Sequence, residues 1–238
     1  MSELSKTAAH ALEAYGGVTL WRQAQWLEAS VSVRGLAFTL KQRPFFRRAS
    51  LRVAVPYCWS RLQPIGRQPH IAGVLDGPGV YLEDQEGQRV AERVQARSAF
   101  PSMRRHVRWD DLDMAYFANY AFWNYLTLPA LLLSDAVHWK EAAPGVLDAL
   151  FPDSLPTHCR RQRFHFDQDT GLLRQHDYTA EIIGGFARAA HVIEAHATQG
   201  GLRFPSRRRV TPRAPSGRPL AGPTLIAIDV HALRVDVA

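Results

Sequence analysis

Residues 26–33 read WLEASVSV, and this octet decides the fold class. Apolar residues occupy every second position from Leu27 to Val33 and alternate with polar ones, which is the period of a half-buried β-strand. Gly35 then shifts the phase, and residues 36–40 are predicted to continue the strand beyond a β-bulge.

The same alternation recurs along the chain and predicts about ten antiparallel strands. Residues 186–197 are alanine-rich and have helical propensity, but we interpret them as a strand because glycine pairs flank them. Turn sequences such as residues 76–79 (DGPG) and 84–87 (DQEG) separate the strands. Beyond the first strand, the predicted strands are residues 49–55, 70–75, 80–83, 88–94, 162–167, 172–183, 186–197, 202–210 and 224–237.

Two segments predict helices. Residues 3–15 form an amphipathic pattern that Ser5 or Ser2 could cap and that ends at Gly16. Residues 109–126 open with acidic residues, suited to a helix N-terminus, and are then apolar on every side until Pro129. The fold class predicted is mainly β (α+β): a curved antiparallel half-barrel, with an N-terminal helix and the aromatic helix plugging its cavity. We expect residues 1–238 to form a single domain.

Composition narrows the function classes. The 238 residues carry a net charge of +7 and are 46% hydrophobic, as in globular proteins. No apolar stretch is long enough to span a membrane, and no secretory signal pattern opens the chain, so a cytoplasmic location is expected. Cys58 and Cys159 are expected to be thiols, since neither has a second cysteine nearby.

Arginine supplies most of the positive charge, and six arginines lie between Arg203 and Arg218. Such a patch could contact phosphates, or it could pair with acidic residues elsewhere. The aromatic residues that stack on single-stranded bases are absent from this segment. We therefore expect ion pairs here and no nucleic-acid partner.

Three stretches carry a family resemblance. They are residues 15–26, with Tyr-Gly-Gly and two tryptophans; residues 164–174, an aromatic strand followed by Asp, Gly and Leu; and residues 201–207, with Phe-Pro before arginine. Together they resemble bacterial lipoprotein-localisation carriers and related outer-membrane lipoprotein-sorting proteins. The resemblance implies a curved sheet around a hydrophobic cavity that helices close and that holds acyl chains. Those carriers are exported and their cavity is apolar, whereas here histidines and tyrosines lie on the candidate lining strands.

Residues 176–178 (HDY) are the most polar point of their predicted strand. His176 and Tyr178 should face one side and Asp177 the other, so a dyad between His176 and Asp177 is not expected. His176 and Tyr178 could act as general base and proton donor, or they could belong to a polar ladder on the surface. His165 and Asp167 share a face but lack a third ligand, and no metal site is predicted.

The aromatic helix offers a second set of candidates. Asp113, Tyr116, Tyr120, Trp123 and Asn124 follow helical spacing and form one stripe. The stripe would line the cavity if the helix plugs the half-barrel, or it could be core packing with Asp113 at the helix start. A buried Asn or Asp there needs a hydrogen bond, which a ligand could supply.

His191 shares a face with Ile193 and is predicted to be half-buried. The nucleophile elbow, phosphate-binding loop and dinucleotide fingerprint are absent, which disfavours nucleotide, kinase and serine-hydrolase functions. We expect a protein that binds a hydrophobic small molecule or acyl chain without a cofactor. Tyr116, Tyr120, Trp123, Asn124 and His191 are the predicted ligand contacts.

The alternative is a cofactor-independent cyclase, isomerase or dehydratase working in the same cavity. His176 or Asp113 would then be the general acid or base, and Tyr178 or Tyr116 the proton donor.

Overall fold

A computed structural model describes residues 4–238, with the side chain of Arg104 excepted. The described chain forms one 13-stranded antiparallel sheet that is curved and not closed. Strands β1–β6 form one meander and β7–β13 another, and β1 pairs with β13 where the two meet. The strands are β1 (Ala24–Arg34), β2 (Phe46–Ala54), β3 (Trp59–Gln63), β4 (Ala72–Asp76), β5 (Gly79–Glu83), β6 (Arg89–Arg93), β7 (His138–Ala143), β8 (Val146–Leu150), β9 (Arg161–Phe166), β10 (Leu173–Thr179), β11 (Arg188–Gln199), β12 (Leu202–Pro212) and β13 (Ile226–Val237).

Thirteen strands replace the ten or so predicted, because three short strands carry weak signals. β3 and β8 are five residues long, and the edge strand β7 is largely exposed on both faces. β3 and β8 each bury only two side chains, and two alternating positions are too few to mark a strand in the sequence. The alanine-rich residues of β11 are a strand, as the alternation predicts.

The helices are α1 (Lys6–Ala14), α2 (Gly17–Gln23), α3 (Leu36–Leu40), α4 (Met103–Val107), α5 (Asp111–Leu126) and α6 (Leu128–Leu132), with a short 3₁₀ helix at Arg97–Ala99. Ser5 caps α1 by accepting a hydrogen bond from the amide of Ala8, while Ser2 lies outside the described residues. α5 ends before Pro129, and the proline sits in the first turn of α6, where its missing N–H costs nothing.

One strand prediction is wrong. Residues 36–40 do not continue β1 beyond a bulge but form the short helix α3. Gly35 has a φ of 138° and packs against the backbone of Leu225, so the chain leaves the sheet at this point. The last four residues of the predicted strand 172–183 also lie outside the sheet, because β10 ends at Thr179.

Helix α5 crosses the concave face and packs on β3, β4 and β5. Gly73 on β4 permits the close approach, since a Cβ there would lie 2.6 Å from the Cβ of Ala115. Asn119 donates to the carbonyl of Gly73 at 3.0 Å, and its side-chain oxygen accepts from the hydroxyl of Ser60 at 2.9 Å. The aromatic helix therefore fills the half-barrel as predicted. Among the described residues, no helix is long and apolar enough to cross a membrane.

Candidate functional site

The N-terminal end of α5 is held by charge. Asp110 and Asp113 form a capping box, each side chain accepting from the other's backbone amide. The fully buried Asp113 carboxylate also pairs with Arg105 at 2.6 Å and with Arg93 at 2.8 Å. This carboxylate accepts from two guanidinium groups and from the backbone amide of Asp110. It therefore links α5 to β6, through Arg93, and to α4, through Arg105.

The C-terminal half of α5 is surrounded by tyrosines and histidines. The hydroxyl of Tyr125 lies 2.7 Å from Nε2 of His158 and 3.1 Å from the hydroxyl of Tyr178, and Tyr120 reaches Nδ1 of His158 at 3.1 Å. The rings of His158 and Tyr178 stack with centroids 3.9 Å apart. We call this group the Tyr–His cluster; its members are Tyr120, Tyr125, His158, His176, Tyr178 and His191.

Burial keeps the Tyr–His cluster uncharged. Desolvation lowers the pKa of His158 to about 3 and holds the pKa of His176 well below 6.5. Desolvation also raises the pKa values of Tyr125 and Tyr178 above 10. At neutral pH the histidines are therefore neutral and the tyrosines protonated, so the cluster is joined by neutral hydrogen bonds.

His176 is fixed from two sides. Its Nε2 lies 2.6 Å from the side-chain oxygen of Gln162, and its ring stacks on Phe164 with centroids 4.1 Å apart. Gln162 in turn donates to the hydroxyl of Thr157 and to the carbonyl of Cys159. These bonds connect His176 to the loop between β8 and β9.

His191 on β11 and Arg208 on β12 differ from the other buried polar side chains around the C-terminal half of α5. His191 is fully buried, and neither ring nitrogen has a hydrogen-bond partner among the described residues. The Arg208 guanidinium is equally buried and lies over the ring of Tyr125, 5.3 Å from its centroid. Its hydrogen bond goes to the backbone carbonyl of Tyr125 at 3.4 Å. This corner of the concave face holds polar groups that the protein leaves incompletely satisfied.

Two small apolar cavities, each of about 20 Å³, are both lined by Tyr125. The first, called the α2-side cavity, is lined by Tyr15, Trp21, Tyr125, Leu128, Phe204 and Leu233 among others. The second, called the α3-side cavity, is lined by Val33, Phe38, Phe46, Tyr125, Ile226 and Ile228 among others. Each holds about one water molecule by volume, and Tyr125 is the residue that the linings of both cavities share.

A larger cleft of about 630 Å³ opens beside α5, between the end of β6 and the loop before β9. Arg97 spans it by donating to the carbonyl of Thr157 at 2.7 Å and to the carboxylate of Glu181 at 2.6 Å. Tyr116 lines the cleft, and the other predicted ligand contacts lie deeper. Arg97 thus links the two halves of the sheet at the mouth of the half-barrel.

The structure brings some of the predicted residues together and separates others. His176, Tyr178, Tyr120 and His191 meet in the Tyr–His cluster, where His176 and His191 are direct partners across β10 and β11. Asp113 lies apart at the other end of α5. His191 is fully buried rather than half-buried, because the body of α5 covers it.

Trp123 and Asn124 are oriented by backbone groups. The Trp123 indole donates to the carbonyls of Ala54 and Tyr57. Asn124 donates to the carbonyl of Pro156 at 2.9 Å, and its side-chain oxygen is buried with no partner among residues 4–238. A ligand that supplies the missing hydrogen bond to this acceptor therefore stays a prediction.

Asp177 faces the convex side, opposite His176, as strand alternation predicts. It is 3% exposed, lies 3.0 Å from Nε2 of His165 and accepts from Gln175 at 2.7 Å. The described residues contain no group of three metal-ligating side chains. Of the arginine patch, Arg207 and Arg209 pair with Glu194 on the convex face.

Sequence reasoning missed His158, Tyr125 and Arg208. Alternation along β12 places Arg208 on the same face as Phe204 and Val210, so its burial was readable from the pattern. His158 lies in a loop, where no periodicity marks a residue as buried.

The curved sheet crossed by a helix resembles that of a LolA superfamily protein from Nitrosomonas europaea. The two structures align with a TM-score of 0.54 and 10% identity, over 100% of this chain and 96% of that chain. The fold is LolA-like. A putative outer membrane lipoprotein-sorting protein domain from Vibrio parahaemolyticus aligns with a TM-score of 0.48 and 11% identity over 97% of this chain and 91% of that one. No family model matches the sequence, and no curated protein matches it significantly.

At 10% identity, this likeness establishes the LolA-like fold alone. A DUF1329 family protein from Desulfovibrio piger aligns more distantly, with a TM-score of 0.41, 16% identity and coverage of 100% of this chain and 95% of that one. The fold does not determine the chemistry of the site, which depends on this chain's own residues.

Proposed function

We propose that this protein binds a hydrophobic small molecule or an acyl chain inside the half-barrel, between α5 and the concave face of the sheet. The observation that carries the proposal is the pair of apolar cavities that Tyr125 lines together. The sequence resemblance to the lipoprotein-localisation carriers supports the proposal, since it implies a hydrophobic cavity that holds acyl chains. A ligand longer than a few atoms needs more than the present volume, so binding must displace Tyr125 or α5.

Part of the site suits such a displacement. α5 is anchored by ion pairs at its N-terminal end, whereas neutral hydrogen bonds and ring contacts surround its C-terminal end. Neutral hydrogen bonds are individually weaker than charge-assisted ones. Movement at the Tyr125 end would join the two cavities while the N-terminal anchor held.

Saturable uptake of the neutral dye Nile red tests the proposal, with native mass spectrometry to detect any lipid that co-purifies. Ala121 lines the α3-side cavity, and Ala121→Val adds two methyl groups that should occupy it and weaken dye binding by about tenfold. Ala142→Val adds the same groups to an exposed position of β7 and should leave binding unchanged. Absence of saturable binding by the unmodified protein, or equal binding by both variants, would refute a ligand in this space.

The enzyme alternative has less support from the geometry. His176 is 2% exposed with its Nε2 bound to Gln162, and Asp113 is engaged by two arginines. Tyr178 is bonded to Tyr125 and stacked on His158. A general acid or base must reach the substrate's proton, and these groups are occupied within the protein.

A further inference from the structure

Arg208 is a buried cation that forms no ion pair with any carboxylate of residues 4–238. It is 2% exposed, and among the described residues no carboxylate lies within 4.0 Å of its guanidinium. Its neighbours on β12 provide an internal comparison, because Arg207 and Arg209 point to the convex face and both pair with Glu194. Burying a charge without an oppositely charged partner is unfavourable in free energy, and the buried charges of proteins are normally paired.

The electrostatics around Arg208 agree with this description. Burial lowers the pKa of Arg208 to about 10, and the groups that favour its charged form are the tyrosines at positions 15, 125 and 178. These tyrosines are protonated at neutral pH, since burial raises their pKa values. Arg208 therefore keeps its positive charge in a neutral, desolvated environment, where an added anion would be strongly attracted.

His191 supplies a second incomplete group beside it. In the pairing of β11 with β12, His191 is opposite Val210 while Arg208 is opposite Ile193, which makes His191 and Arg208 diagonal neighbours on the concave face. Burial, with Arg208 as a further cause, keeps the pKa of His191 well below 6.5, so the ring is neutral. A neutral imidazole carries one N–H donor, and here that donor has no acceptor.

Tyr125 connects both groups to the apolar cavities, although neither His191 nor Arg208 lines a cavity itself. Tyr125 packs against His191 with centroids 4.6 Å apart and lies under Arg208, and the same ring lines both cavities. Ile228, the partner of Arg208 on β13, lines the α3-side cavity. An anion at Arg208 would thus lie close to the ring that lines both cavities.

We propose that Arg208, with His191 beside it, receives the carboxylate of an amphiphilic ligand whose hydrocarbon chain occupies the apolar space that Tyr125 lines. The ligand class is a long-chain monocarboxylate. The planar guanidinium suits a carboxylate because it can donate two parallel N–H bonds. This inference deepens the proposed function and rests on it.

Displacement of Nile red by oleate and by methyl oleate tests the inference, because the two probes share a chain and differ in charge. The unmodified protein should bind oleate about tenfold or more tightly than the ester. Arg208→Met should abolish this preference while still binding the ester, and Arg208→Lys should keep a preference for the acid. Arg209→Gln, on the convex face of the same strand, should behave as the unmodified protein does.

The outcomes separate the two proposals. Failure to bind Nile red saturably would remove the proposed function and this inference together. Saturable dye binding with equal displacement by acid and ester would overturn the carboxylate site alone, and so would an unchanged acid preference in a folded Arg208→Met variant. If that variant does not fold, the acid–ester comparison on the unmodified protein and on Arg208→Lys still decides the question.

Discussion

The two ends of helix α5 are built differently, although both are buried against the same sheet. At the N-terminal end, the Asp113 carboxylate meets two guanidinium groups and completes a capping box. At the C-terminal end, the Arg208 guanidinium contacts a backbone carbonyl and an aromatic ring and pairs with no carboxylate among residues 4–238, and the neighbouring His191 imidazole is neutral. The charged groups at the N-terminal end of α5 are paired with each other, whereas the guanidinium at the C-terminal end has no carboxylate partner among the described residues.

This difference assigns separate roles to the two ends. A carboxylate bound by two arginines needs nothing from outside, so the N-terminal end serves as a fixed anchor. At the C-terminal end, by contrast, the described residues supply Arg208 with no carboxylate and His191 with no hydrogen-bond partner, which is why we propose that this end receives a ligand. The end that is electrostatically incomplete is also the end that borders both apolar cavities.

Breaking the anchor should have the largest effect. Asp113→Ala leaves Arg93 and Arg105 without this carboxylate and removes half of the capping box, and we expect a loss of about 3–5 kcal/mol in the free energy of unfolding. Urea denaturation followed by circular dichroism measures it. Asp153→Ala removes an exposed ion pair with Arg160 and should cost less than about 1 kcal/mol. A loss in Asp113→Ala as small as that of the control would contradict the role of anchor.

Removing one hydroxyl at the opposite end should cost less. Tyr125→Phe keeps the ring that lines both cavities but leaves His158 and Tyr178 each without one hydrogen bond, for an expected loss of about 1–3 kcal/mol. Tyr57→Phe is the matched control, since Tyr57 is 53% exposed, and should change stability by less than about 0.5 kcal/mol. The same urea experiment compares them, and equal values would mean that the cluster's hydrogen bonds contribute nothing.

Sequence patterns predicted the architecture better than the site. Alternation located the long strands and the aromatic run located α5, because both follow from which residues are buried. The Tyr–His cluster joins residues from α5, β10, β11 and the loop carrying His158, and no local pattern records which strands become neighbours. The alternation along β12 predicts that Arg208 is buried. Only the arrangement of the strands in the sheet shows that no acidic residue among those described pairs with it.

The neutral histidines at the C-terminal end predict an acid-sensitive stability. The pKa of His158 falls from 6.5 to about 3 on burial, so the unfolded chain binds a proton that the folded chain does not. Its contribution to stability is complete above pH 6.5 and declines towards pH 3, by about 1.4 kcal/mol per pH unit. His191, whose pKa is also lowered, should contribute the same slope.

Urea midpoints between about pH 5 and 6.5 isolate this effect, because carboxylates change little there. His191→Leu should reduce the slope of stability against pH by about 1.4 kcal/mol per pH unit, and it removes two unsatisfied nitrogens. His138→Gln, at an exposed position on β7, should leave the slope unchanged. A slope that is the same in all three proteins would show that His191 is not held neutral by burial.

The smallest effect should come from the residue next to Arg208. Arg209 lies on the convex face, about one-third exposed, and its bond to Glu194 at 2.7 Å competes with water and salt. Arg209→Gln should therefore cost at most about 1 kcal/mol, and less as the salt concentration rises. Urea midpoints at low and high salt measure this. A larger loss in the free energy of unfolding that does not change with salt would mean that ion pairs on the convex face also stabilise the fold. The contrast between Arg208 and Arg209 would then no longer separate the proposed ligand-binding face of β12 from its solvated face.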